Sequence, residues 1–100
     1  MAEAIQATLE RIQKHKGVLG TIIIDHNGVT LHSTLDDKTT AEYTELIPAL
    51  SMLAKNLVRD VDPQNDLDFL RVRSLKHEIM VAPKEEFLLI VIQDPAAVSA

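Results

Sequence analysis

Four histidines, at positions 15, 26, 32 and 77, are the side chains best placed by type to ligate a metal or move a proton near neutral pH. No two of them stand three or four residues apart, and the chain has no cysteine to add a thiolate. A histidine metal site would therefore need carboxylates brought in from distant segments. The histidines read instead as solvated groups in loops and at a helix end. The acidic group Asp60, Asp62, Asp66 and Asp68 has the composition of a calcium loop. Begun at Asp60, however, such a loop puts Asn65 where the sharp turn needs glycine and Arg71 where the bidentate glutamate belongs. These aspartates are expected to end a helix and form a polar corner. His32 and Ser33 with nearby Asp36 hold the residue types of a hydrolase triad, but no nucleophile elbow is present. Neighbours on a strand also point to opposite faces. Gly17-Val18-Leu19-Gly20 is too short for a phosphate loop and lacks the Gly-Lys-Ser/Thr ending. No catalytic, cofactor-binding or metal-binding residues are assigned, and the chain reads as a binding protein rather than an enzyme.

The elements that position these residues are dominated by the end of the chain. Phe87-Leu88-Leu89-Ile90-Val91-Ile92 is nearly uninterrupted apolar sequence, too short to span a membrane. It reads as a central strand buried on both faces. A helix is expected over 2–16, carrying Ile5, Leu9 and Ile12 at helical spacing and stopped by Gly17. Strands follow at 18–25 and 29–33, joined through His26-Asn27-Gly28, with a type I′ turn expected at Asn-Gly. Thr39 and Glu42 have the spacing of a capping box for a long helix reaching Val61. Its stripe of Tyr43, Leu46, Ile47, Leu50, Leu53, Ala54, Leu57, Val58 and Val61 is taken as the core face. Pro48 bends this helix without ending it, because the stripe continues in phase. Strands at 67–74, 77–82 and 86–93 complete the chain. The fold class is α+β, a five-stranded antiparallel sheet with helices on one face. One domain, 1–95, is expected, with a frayed tail at 96–100.

Composition narrows the function classes. With 46% hydrophobic and 25% charged residues, 100 residues suffice for one core and disorder is not expected. A net charge of −5 argues against nonspecific nucleic-acid binding. The absence of cysteine fits a reducing compartment, and no secretory leader or membrane span is visible. These features point to a cytosolic domain without membrane insertion.

Association is the remaining surface signal. Once the core stripe is set aside, Ala41, Thr44, Pro48, Ser51, Met52 and Lys55 share the other side of the long helix. That side is small, flat and partly apolar, unlike a solvated Glu/Lys face. If the last three strands form a meander and the first pairs with the fifth, the third is left at an edge. A dimer interface is therefore expected on Thr44, Pro48, Ser51, Met52 and Lys55 of the helix and on Asp68, Leu70 and Val72 of the third strand.

Several segments are recognisable together: the opening helix followed by Lys16-Gly17-Val18-Leu19-Gly20, the Asn27-Gly28 turn, and Ser33-Thr34. With them go Val58-Arg59-Asp60-Val61-Asp62-Pro63-Gln64-Asn65-Asp66-Leu67, Phe69-Leu70-Arg71-Val72-Arg73-Ser74, Glu78-Ile79-Met80-Val81-Ala82-Pro83 and Phe87-Leu88-Leu89-Ile90-Val91-Ile92-Gln93. Through these segments the chain resembles the roadblock/LC7 family over nearly its whole length. Asp62 to Leu67 followed by Glu78 to Pro83 looks like the dynein light chain roadblock-type branch. The resemblance implies a non-enzymatic homodimer, or a heterodimer with a related roadblock chain, whose sheets join across the third strands. It also implies an accessory subunit of the dynein motor that holds dynein intermediate chains in the cytoplasm and cytoskeleton, or in a cilium. Other branches of the superfamily scaffold or regulate small GTPases, which is the alternative. A solitary ligand-binding domain of profilin-like build is a third reading, and it would need a concave pocket.

Overall fold

A computed structural model describes residues 2–96. The first helix, α1 (Ala2–Gln13), leads through Gly17 at φ 89° into β1 (Val18–Ile24). β2 (Thr30–Ser33), the long helix α2 (Asp37–Val61), β3 (Leu70–Arg73), β4 (Glu78–Pro83) and β5 (Leu88–Gln93) follow. The strands form one antiparallel sheet in the order β2-β1-β5-β4-β3. The expected pairing of first and fifth strands is present, and β3 lies at an edge. β2 forms the other edge. Of the expected frayed tail, only Ala96 lies within the described residues.

Successive strand residues point to opposite faces, so the runs at 22–24 and 89–92 feed two cores. Ile22, Ile24, Ile90 and Ile92 gather with Val81 and with Ile47 of α2. Ile23, Leu89 and Val91 gather with Leu9 of α1. The helices therefore lie on opposite faces of the sheet, which corrects the expectation of helices on one face. The cause is the lack of alternation in β1 and β5: covering one face only would leave Ile23, Leu89 and Val91 in water.

Several boundaries move for identifiable reasons. The cap of α2 is Asp36, whose Oδ1 accepts from the Thr39 backbone N–H at 2.7 Å, so the helix begins before the expected Thr39–Glu42 box. That hydrogen bond holds the Asp36 carboxyl below its ordinary value of 3.8. The β1–β2 connection is not type I′, because among the described residues no residue other than glycine has positive φ. It is a three-residue loop closed by Gly28 at φ 83°, with Asp25 Oδ1 accepting from Asn27 and Val29 N–H at 2.9 Å each. The β1–β2 register also slips between Ile23 and Ile24. β3 is four residues long rather than eight. Asp66 before it faces Arg59 at 3.7 Å and Lys55 at 4.0 Å, which fastens that segment to α2. Pro48 sits inside a single helix of 25 residues, as expected.

Candidate interaction surface

Several groups with chemical potential in the sequence have a structural use. Asp62 Oδ1 accepts from Gln64 N–H at 3.1 Å, Asn65 Oδ1 from Asp66 N–H at 2.8 Å, and Asp66 Oδ1 from Leu67 N–H at 2.8 Å. The acidic corner is thus a turn stitched to its own backbone. Ser33 Oγ shares a hydrogen bond with Thr40 Oγ1 at 2.7 Å, and Asp36 caps α2, so His32, Ser33 and Asp36 do not converge. The His26 ring meets the Glu85 carbonyl and ties the β1–β2 loop to the β4–β5 turn. Among the described residues no three metal-ligating side chains come together. Gly20 is a packing position. A Cβ there would lie 2.5 Å from Leu35 Cδ2 and 2.7 Å from its Cγ, so Leu35 rests directly on the backbone of β1.

The surface that stands out lies on α2. Leu46, Leu53, Leu57 and Val61 are 65–79% exposed, and Leu50 beside them is 41% exposed. These residues recur at helical spacing and form one row over four turns. The row facing the chain's own sheet is Thr40, Ile47 and Ser51, all buried, with Tyr43, Thr44, Ala54 and Val58 half-buried beside it. The nine-residue apolar stripe is therefore two rows: Tyr43, Ile47, Ala54 and Val58 turn inward, and the four leucines and Val61 turn outward. The reason is steric. Thr40, Thr44 and Ser51 are small enough to let the helix approach the sheet closely, and a row of leucines is not.

Of the expected interface residues on the helix, Ser51 is buried within its own chain. Thr44 is half-buried at a groove beside β2, and Pro48 and Lys55 are half-buried near the β1–β2 and β4–β5 turns. Only Met52, at 58%, is well exposed. That side of the helix is thus shared with the chain's own sheet. Leu70 and Val72 lie on the edge strand, half-buried, with Leu70 packed against the α2-side core. Asp68 is exposed and lies just before β3. The residues the sequence reading missed are Leu46, Leu50, Leu53, Leu57 and Val61. The available signal was the width of the stripe, too broad for one flat sheet to bury.

Solved structures that resemble the chain include bacterial proteins. The chain superposes on a roadblock/LC7 domain from Streptomyces avermitilis with a TM-score of 0.78 at 14% identity, covering 89% of this chain and 76% of that one. Myxococcus xanthus MglB gives 0.74 at 18% identity, over 94% of this chain and 78% of that one. The gliding protein MglB of Thermus thermophilus gives 0.73 at 14% identity, over 94% and 73%. These neighbours overturn the dynein light chain expectation, and with it the intermediate chain as partner and the microtubule and ciliary setting. The physical reason is visible in the motif that suggested it. Asp62, Asn65 and Asp66 accept hydrogen bonds within their own turn, and Asp66 also faces Arg59, so the motif has a use in the fold itself. With the Roadblock/LC7 domain model matching residues 4–94, the chain belongs to the Roadblock/LC7 family.

Proposed function

We propose that the chain is a scaffold or regulatory subunit for a small GTPase, acting as a twofold dimer. The observation that carries this reading is the exposed leucine row of α2, an apolar ridge that no other element among the described residues covers. A helix of 25 residues is about 37 Å long, enough to supply much of the roughly 800 Å² per partner that a stable interface buries. The free edge of β3 supports sheet-to-sheet joining in the same dimer. Arg71 and Arg73 would be brought near their copies there, and Glu78, 5% exposed and 3.7 Å from Arg71, offsets part of that charge. One of the structural neighbours, an MglB, is itself described in a tetrameric arrangement. The GTPase assignment follows the superfamily branch that remains once the motor branch is removed.

Light scattering on the purified chain tests the dimer, with an expected mass of twice 11.1 kDa. Small GTPases of the same organism, loaded with GDP or a GTP analogue, are then passed over the immobilised chain. Retention in one nucleotide state, lost in Leu53→Asp, supports the proposal. A monomer that retains no GTPase in either state overturns it and favours the solitary ligand-binding domain.

A further inference from the structure

The β1–β2 loop carries the residue pair with the readiest route to a covalent change. Asparagine is chemically labile, because the backbone nitrogen of the next residue can attack its side-chain amide carbon. A side chain on that next residue stands in the way. Of the three asparagines, Asn27, Asn56 and Asn65, only Asn27 is followed by glycine. Leu57 follows Asn56 inside α2, and Asn65 Oδ1 already accepts from the N–H of Asp66 at 2.8 Å. At Gly28 the approach is open, since a Cβ built there would meet nothing within 4 Å. Asn27 and Gly28 are both exposed, and the Asn27 amide makes no hydrogen bond among the described residues.

The same loop restrains that reaction. Asp25 holds the N–H groups of all three residues after His26. Its Oδ1 accepts from Asn27 and from Val29 at 2.9 Å each, and its carbonyl accepts from Gly28 at 3.1 Å. The Gly28 nitrogen has to give up its proton to attack, so the bond to the Asp25 carbonyl must break first. The His26 ring against the Glu85 carbonyl anchors the loop to the β4–β5 turn as well. The amide of Asn27 is free, and its attacker is held.

We propose that Asn27 is a site of spontaneous deamidation whose rate Asp25 governs. The Gly28 nitrogen bonds to Asn27 Cγ, the Cγ–Nδ2 bond breaks, and the Gly28 proton departs, by way of water, in ammonia. Water then opens the cyclic imide, with no oxidation or reduction in either step. Opening at Cγ leaves aspartate. Opening at the main-chain carbonyl leaves isoaspartate, in which the backbone runs through Cβ and Cγ. Either product sets a second carboxylate beside Asp25, and isoaspartate also lengthens a three-residue loop by a carbon. The Asp25 hydrogen bonds and the His26–Glu85 contact then loosen together. The cleft of about 210 Å³ between this loop and Met52 of α2, bounded by Asp25, His26, Gly28 and Phe87, changes shape with them. The loop joins the two strands farthest from β3, so this proposal and the GTPase proposal stand or fall separately.

The full chain is incubated in warm neutral buffer, folded or in urea, and its tryptic fragment Gly17–Lys38 is followed by mass spectrometry. Electron-transfer fragmentation separates aspartate from isoaspartate. The folded chain should deamidate at least about fivefold more slowly than the chain in urea, the rate equivalent of ~1 kcal/mol. Asp25→Ala, its fold checked by circular dichroism, should approach the rate in urea. Asp25→Asn, which keeps an oxygen acceptor, should stay near wild type, and Asn27→Gln should abolish the mass change. Amide exchange at Gly28, read by NMR on the wild type, should be slow, which decides the matter even where Asp25→Ala fails to fold. The isoaspartate form, isolated by ion exchange, should show displaced His26 and Met52 signals. Equal rates folded and in urea, fast Gly28 exchange, a folded Asp25→Ala no faster than wild type, or unmoved His26 signals would overturn the proposal. So would deamidation at Asn56 or Asn65 that outpaces Asn27, or none in either condition.

Discussion

The two faces of the sheet are unfinished in opposite ways. On the α2 side the sheet is covered, and it is the helix that keeps an apolar row in water. On the α1 side the helix is used up, and it is the sheet that remains open beyond β5. A leucine ridge is self-complementary, because two copies related by a twofold axis interleave their side chains. The difference is set by helix length: 25 residues against 12.

The most severe test of this contrast is the core itself. Ile22 and Ile23 are both fully buried but belong to opposite faces. Ile22→Ala and Ile23→Ala should each cost ~2–5 kcal/mol in urea unfolding. A cost near zero for Ile23→Ala alone would mean that α1 does not hold its face, and the contrast would fail. Next is the ridge. Leu53→Asp should weaken self-association by ~2 kcal/mol or more, lowering the mass in light scattering toward 11.1 kDa, while circular dichroism keeps the wild-type fold. An unchanged mass would mean that the ridge is not the dimer surface.

Gly20→Ala sharpens the comparison on the α2 side. The new methyl would meet Leu35 inside contact distance, and a cost of ~1–3 kcal/mol is expected in the same unfolding assay. A wild-type midpoint would show that Leu35 can swing clear. The smallest effect is at Asp36. Its folded carboxyl titrates below 3.8 because it accepts from Thr39 N–H, so its contribution is complete above the unfolded value and fades as pH falls through the folded one. The thermal midpoint of Asp36→Ala should therefore lie slightly below wild type at neutral pH, and the gap should close in acid below about pH 4. A gap that persists in acid would remove the charge from the explanation.

Much of the sheet was legible in the residues. The unbroken runs at Ile22-Ile23-Ile24 and Leu88 to Ile92 marked the two central strands, and the alternation of Leu70 and Val72 with Arg71 and Arg73 marked the edge. The rotation of α2 was not legible. Periodicity reports which residues share a side of a helix, but two adjacent apolar rows give one broad stripe, and the choice between them is made by side-chain bulk at the sheet. Ser51 and Thr40 decided that choice, and both read as polar surface residues in isolation. The cap was missed for a related reason. Asp36 and Thr39 both have capping chemistry, and only the backbone at Asp36, extended with ψ 165°, selects between them. Of the expected interface residues, the strand set stands at the sheet edge and the helix set borders the chain's own sheet.

The slip in register between Ile23 and Ile24, where β1 meets β2, bears on how large an assembly this chain can build. A sheet with two equal edges adds copies without limit, as a fibre does. Here the ends are unequal. β3 is regular along its four residues, with an unbroken ladder to β4. β2 joins the sheet through a disturbed ladder, and local twist at such a bulge turns the outer strand away from flat stacking. In the dimer proposed above, a copy docked through β3 leaves only β2 edges outward, and an irregular ladder makes such an edge a poorer template for a further strand.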